Sequence, residues 1–255
     1  MRKPTVRRLL PALFAAVLAP GLTATPAEAQ TPPELDHFKC YRTTFTPPNV
    51  FVGLLDQFDG FGAAPQDLFI RFPVKFCTPV EKTTPDGVIT PIKDINAHLE
   101  MFIAAPDRLE PTRRVVVRNQ FGTQWLLTYG PELLAVPSAK NDQPPPGTLD
   151  HYKCYRTYGA SKRIVLKLRD QFQDGTTATV LRPRDFCNPV EKTHNGEQTK
   201  VNNPHAHLLC YTIATTAFDG RALARNQFGL ADLPLGTPDM LCVPSEKLRF
   251  SIVTP

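Results

Sequence analysis

The sequence predicts an all-β protein made of tandem duplicated small barrels or sandwiches, each from two three-stranded, disulfide-stapled units. Three observations carry that prediction. Proline supplies 27 of the 255 residues and is scattered through periodic apolar segments, where it rules out long helices. Short runs alternate apolar and polar residues with period two. A three-part phrase built around paired cysteines recurs along the chain.

The first element is a targeting segment. Arg2, Lys3, Arg7 and Arg8 form a basic start, Leu9 to Leu22 an apolar run broken by Pro11 and Pro20, and Ala27-Glu28-Ala29 a small-x-small cleavage site. Residues 1–29 are therefore expected to be removed and the product released as an extracellular or periplasmic protein, since no second apolar span follows. Cleavage removes four of 29 basic residues and one of 24 acids, leaving 25 − 23, or +2, in place of +5. A charge so near zero gives no case for nucleic acid or for an anionic membrane as partner.

Leu35-Asp36-His37-Phe38-Lys39-Cys40-Tyr41-Arg42-Thr43 returns at Leu149–Thr157 with only Phe38 changed, to Tyr152. Phe76-Cys77-Thr78-Pro79-Val80-Glu81-Lys82 returns at Phe186–Lys192, and Arg118-Asn119-Gln120-Phe121-Gly122 at Arg225–Gly229. These define halves at 35–140 and 149–247, an extended Pro-rich linker at 141–148 and a tail at 248–255. Each half is double again, because Ala97-His98-Leu99 and Ala206-His207-Leu208 occupy the place of Asp-His-x. From His37, His98, His151 and His207 to Asp56, Asn119, Asp170 and Asn226 the spacing is 19, 21, 19 and 19 residues. Four units follow, at 35–82, 96–140, 149–192 and 205–247, within the period range of repeat proteins.

Each unit reads as three strands. Ile164, Leu166 and Leu168 alternate with Val165, Lys167 and Arg169; Val115 and Val117, and Ala222 and Ala224, hold the same inward phase in units two and four. The middle strand ends at Asp56, Asn119, Asp170 or Asn226, whose short side chain can close a turn on nearby backbone N–H groups. Asp and Asn interchange there, which points to an oxygen acceptor and not a charge. Proline in Cys-x-Pro is expected to end the third strand.

The six cysteines, behind a signal segment, are expected in disulfides, and six allow fifteen connectivities. Units one, three and four each carry two, Cys40/Cys77, Cys154/Cys187 and Cys210/Cys242, while unit two has Met101 and Ala135 instead. Loss of both partners from one unit makes pairing within units the simplest scheme. A flat meander would keep strands one and three roughly 9–10 Å apart, beyond disulfide reach, so these strands must be neighbours or face each other, or Cys-x-Pro must fold over beyond the strand end.

No catalytic constellation emerges. There are four serines and no nucleophile elbow, the cysteines are committed to bridges, and Asp56 and Asp170 alternate with Asn. The four repeated histidines read as one hydrogen bond satisfied in each unit. His205-Ala206-His207, with His194 nearby, has chelating spacing if it lies on a strand, which would suit a metal-dependent hydrolase; no further ligand is specified, and no cofactor is assigned. Carbohydrate binding is the better-placed alternative to a structural module, since Tyr41, Tyr155 and Tyr211 flank cysteines and Trp125 is the one tryptophan, although such aromatics read as core more often than as sugar platforms. The expected partner is an extracellular glycan or protein.

Taken together, Asp-His-(Phe/Tyr)-Lys-Cys-Tyr, Asp/Asn-Gln-Phe and Cys-x-Pro-Val-Glu-Lys resemble an uncharacterised family of secreted bacterial repeat domains of unknown function. The resemblance covers nearly all of 35–247. It implies export and the repeat domain, and no activity.

Overall fold

The computed structural model describes Met1, residues 35–60 and residues 62–254; the expected targeting segment lies outside them. Unit one forms β1 (Phe38–Arg42), β2 (Val50–Leu55), β3 (Gln66–Pro79), β4 (Glu81–Thr83) and β5 (Ile89–Thr90). Unit two forms β6 (His98–Pro106), β7 (Arg113–Asn119) and β8 (Gly122–Lys140). Unit three forms β9 (Tyr152–Tyr158), β10 (Ile164–Arg169), β11 (Thr176–Pro189), β12 (Glu191–His194) and β13 (Glu197–Thr199). Unit four forms β14 (His207–Thr215), β15 (Gly220–Asn226), β16 (Gly229–Leu235) and β17 (Pro238–Ile252). No helix occurs among the described residues.

The first and third strands of every unit are hydrogen-bonded neighbours, as β1–β3, β6–β8, β9–β11 and β14–β17. Links between successive units, β3–β6, β8–β9 and β11–β14, extend the ladder, and β17 returns to β1. The all-β, disulfide-stapled, barrel-like architecture is as expected, but the assembly is not two small barrels in tandem. All four units share one circuit of eight antiparallel strands, and the described residues from 35 onward form one compact unit. The reason is geometric: each half contributes only four full strands to the circuit, whereas about eight are needed to enclose a side-chain-filled interior. The expected linker, 141–148, accordingly joins two paired strands, β8 and β9. Residues 248–252 of the expected tail continue β17 and pair with β7.

The interior is filled by one cluster drawn from all eight strands, including Phe38, Leu99, Met101, Ala135, Tyr152, Leu208, Met240 and the six cysteines. Cys40 lies directly opposite Cys77, Cys154 opposite Cys187 and Cys210 opposite Cys242, each bonded to that partner. Met101 faces Ala135 in the same register, so an apolar pair substitutes for the bridge in unit two.

The middle strands lie outside this circuit and form the second layer. Val52, Leu54, Leu68 and Ile70 of the first unit pack on Phe102, Ala104, Leu134 and Val136 of the second. Ala222, Ala224, Leu233 and Leu235 of the fourth pack on Tyr41 and Phe76 of the first. In the third unit Leu166 and Leu168 are buried while Val165, Lys167 and Arg169 are exposed, the alternation read from the sequence. The outer strands are held by units two places away: β4 pairs with β10, β12 with β2, the end of β17 with β7 and the end of β8 with β15. This pairing protects edges that would otherwise be open. It also corrects the expectation that Cys-x-Pro ends each third strand. Pro79 and Pro189 do end β3 and β11, but β8 and β17 run past Pro137 and Pro244 to make these pairings.

A second proline repeats at a place the motif reading passed over. Pro73, Pro131, Pro183 and Pro238 each stand four residues before Cys77, Ala135, Cys187 and Cys242, and the ladder register shifts at all four. Proline lacks the N–H a regular ladder needs and is tolerated at bulges, which bend strands at barrel rims. These bulges set the rim of the candidate site.

Candidate functional site

The two ends of the barrel have different chemistry. At one end stand the repeated histidines and the turns at Asp56, Asn119, Asp170 and Asn226. In each turn the side-chain oxygen accepts the N–H two residues on, from Phe58, Phe121, Phe172 and Phe228, at 2.7–2.9 Å. Gly122 and Gly229 complete two of these turns with φ of +96° and +121°, a region costly for residues with a Cβ. His98 Nδ1 donates locally to the Asn96 carbonyl at 2.8 Å, but the other ring bonds of His37, His98 and His151 reach the next unit. His37 Nε2 donates to Gln120 and His151 Nε2 to Gln227, both at 3.2 Å, while Gln171 donates to His98. Lys82 and Lys192 donate to the same glutamine oxygens.

The oxygen acceptor is common to all four turns, and two of the turn residues also meet a charged side chain of the opposite unit. Two of these residues meet the side chain two places after the histidine in the opposite unit. Asp170 pairs with buried Lys39 at 3.3 Å, whereas Lys153 pairs with Glu110 at 2.9 Å and Asp59 at 3.5 Å, and burial pushes the Asp56 carboxyl up. Asn226 instead donates to Glu100 at 2.7 Å, and Asn119 faces unit four, where Leu209 takes the place of lysine. Lysine thus meets Asp in one pair of units, and glutamate meets Asn in another. Asn226→Asp is expected to cost about 1–3 kcal/mol by setting one buried carboxyl against another, and Glu100→Lys in the same chain to restore most of it. A denaturant double-mutant cycle checks this; no coupling between the two sites would overturn this charge matching.

The aromatic and histidine candidates fall as follows. Tyr41, Tyr155 and Tyr211 are fully buried and serve as no sugar platform. Tyr41 and Tyr155 donate to Asp170 and Asp56 at 2.8 and 2.9 Å, and the hydroxyl of Tyr211 takes hydrogen bonds from Asn119 and Gln124. Their burial follows from the outer layer, which covers the barrel face opposite the cysteines. His205, His207 and His194 do not converge. His205 is exposed in a turn and not on a strand, His207 is buried and stacks on Phe186, and His194 faces the Phe51 carbonyl. No group of three His, Cys, Asp or Glu side chains among the described residues is arranged to hold a metal.

The opposite end opens into a cleft of about 510 Å³. Its lining comes from three repeat positions, and there the units differ. Two residues after the first cysteine position stand Arg42, Ile103, Arg156 and Thr212; at the bulges stand Val74, Glu132, Arg184 and Asp239; one residue further stand Lys75, Leu133, Asp185 and Met240. Asp239 holds Lys75 at 2.6 Å and Arg42 at 3.4 Å, Glu132 pairs with Arg156 at 3.3 Å, and Arg184 lies 3.5 Å from Asp185. Asp185 is completely buried, and neither of its oxygens nor Oε1 of Glu132 receives a hydrogen bond from a donor of the protein. Burial first, and the adjacent Glu132 second, push the Asp185 carboxyl well above the usual carboxylate range. The cleft thus joins guanidinium donors, carboxylate acceptors and the apolar side chains of Ile103 and Leu133.

The motif reading missed this rim because it looked for what repeats. The proline at each bulge was the available signal: it marks the same place in every unit and draws attention to the residues beside it that vary.

Among known families, the model of a repeat of unknown function (DUF7450) matches residues 98–244, more than half of the chain. The chain belongs to this family. The match runs from the histidine of unit two to the Cys-x-Pro of unit four, so the DUF7450 repeat encompasses strands on both sides of the cleft. No curated protein and no solved structure matches. The three disulfides of this DUF7450 chain are of the kind typical of extracellular proteins.

Proposed function

We propose that the chain is an exported, non-catalytic binding module that takes a hydroxyl-rich ligand, an extracellular saccharide, at the variable mouth of the barrel. The observation that carries this reading is the contrast between the two ends. Residues kept in all four units are occupied in building the barrel, whereas the charged residues differing between units collect around one cleft. Sugar hydroxyls donate to carboxylates and accept from guanidinium groups, and their ring faces suit a partly apolar floor. The Glu132 carboxylate and the Arg42, Arg156 and Arg184 guanidinium groups line the cleft and suit a ligand that both donates and accepts.

The test is a glycan array with the mature chain, followed by calorimetry on any hit. Arg156→Ala and Glu132→Gln are expected to weaken binding at least tenfold, as truncation of a central polar contact does, while leaving the unfolding midpoint nearly unchanged. A ligand whose affinity ignores both variants would sink the assignment. Trp125 marks the place such a ligand would then occupy, since it is 60% exposed, stacks with Arg114 at 5.6 Å and borders an outer cleft with Arg249.

A further inference from the structure

Unit two departs from its copies in a second way, and a cavity accompanies the departure. In the other three units a tyrosine hydroxyl reaches the turn residue of the opposite unit, from Tyr41 to Asp170, Tyr155 to Asp56 and Tyr211 to Asn119. The corresponding residue here is Phe102. It keeps the edge-to-face contact with the turn aromatic, Phe228, at 5.0 Å, close to the 5.2, 5.0 and 5.3 Å of Tyr41–Phe172, Tyr155–Phe58 and Tyr211–Phe121. The hydroxyl is absent, and beside Phe102 lies a pocket of about 220 Å³. Phe45, Pro47, Phe228 and Leu230 contribute to its walls.

One charged side chain lines this pocket. Glu100 is 2% exposed and is held by a hydrogen bond from Asn226 at 2.7 Å. Among the described residues no lysine or arginine lies within ion-pair distance of it, although units one and three carry lysine at the same repeat position, Lys39 and Lys153. The pocket therefore offers a carboxyl acceptor within aromatic and proline walls. Of its two uncharged polar side chains, Thr46 and Asn226, the latter already directs its amide at Glu100 and Ser138.

We infer that this pocket is a binding site for a primary ammonium group on a compact apolar or aromatic stem. The ammonium donates to the Glu100 carboxylate and lies near the faces of the aromatic walls, where cations are attracted to the ring quadrupole. The stem displaces water from the apolar part of the pocket. Size is adequate: an apolar cavity of about 150 Å³ takes up benzene. A carboxylate ligand is excluded by repulsion from Glu100, and a neutral one forgoes the charge-assisted bond. Burial raises the Glu100 pKa to about 7, so an ammonium neighbour would restore the ionised form that the free protein partly loses at neutral pH.

Benzylammonium, benzyl alcohol and benzoate are the probes, titrated into the full mature chain at pH 7.5 and followed by calorimetry and by NMR of the phenylalanine rings. Saturable benzylammonium binding is expected at least tenfold tighter than benzyl alcohol, with no benzoate binding. Glu100→Gln should remove the preference for the ammonium while keeping weak alcohol binding, which also shows that the pocket remains folded. Phe102→Tyr, restoring the hydroxyl of the other units, should weaken both. Absence of saturable benzylammonium binding by the unaltered chain, equal affinity for the alcohol, or unchanged ammonium affinity in Glu100→Gln overturns the assignment. Outcomes at the barrel mouth do not bear on this site, because the two clefts share no lining residue.

Discussion

Met101→Cys with Ala135→Cys is expected to create a fourth disulfide and raise stability by about 2 kcal/mol. The two positions face each other on β6 and β8 in the register that Cys40/Cys77, Cys154/Cys187 and Cys210/Cys242 occupy on their own strands. Closing a loop of that length removes about 3.5–4 kcal/mol of unfolded-state entropy, and replacing buried methionine by a smaller side chain returns about 1–2 kcal/mol of it. The reverse change is larger. Cys154→Ala with Cys187→Ala removes a bridge from the barrel interior and is expected to cost about 3.5–4 kcal/mol through loop entropy alone. Urea unfolding with and without reductant checks both, alongside a free-thiol assay. Free thiols at 101 and 135 in the oxidised double variant would show that unit two does not share the geometry of the other three.

Stability is expected to fall steeply as the pH drops from 6.5 towards 4. Burial lowers the pKa of His37 to about 3 and of His98 and His151 to about 4, and holds His207 well below its ordinary 6.5; neighbouring lysines add to the effect at His37, His98, His151 and His207. The unfolded chain takes up these protons near pH 6.5 and the folded chain does not, so stability is complete above 6.5 and is lost below it. At pH 5, 1.5 units below the unfolded value, His37 and His98 each account for on the order of 2 kcal/mol of that loss. His151, which is partly exposed, contributes less. Glu100 and Asp185 work in the opposite sense, because their raised pKa values let the folded chain bind protons first. The four imidazole C2 resonances are expected not to titrate between pH 7 and 5 in the folded protein. His98→Asn should flatten the dependence of unfolding free energy on pH by one proton, about 1.4 kcal/mol per pH unit. An unchanged slope would mean that His98 does not control acid sensitivity.

Some of the site was readable before any coordinates. The turn chemistry at Asp56, Asn119, Asp170 and Asn226 follows from side-chain length and polarity, and the alternation of Leu166 and Leu168 with charged neighbours identifies a buried face. Other features were not readable, for a common reason. That Tyr41 is core and not a sugar platform is decided by β15 and β16, of a unit nearly 200 residues away, which cover it. The same non-local contact decides why Asp170 is acidic and Asn226 is not: their partners, Lys39 and Glu100, lie more than 120 residues away in the chain. Pro73, Pro131, Pro183 and Pro238 were visible as a repeat, but what they do, bending strands at one rim, is a property of the ladder.

By itself the sequence determined the repeat, the three-strand unit and the pairing of cysteines within units, because periodicity, turn chemistry and the joint loss of Cys partners in unit two are local or internal comparisons. The tertiary structure alone decided that four units form one eight-stranded circuit and that their unlike residues meet at one mouth. Ladder bonds such as those from β17 to β1 are made by backbone groups that every residue carries, and they span some 200 residues, so side-chain pattern does not specify them.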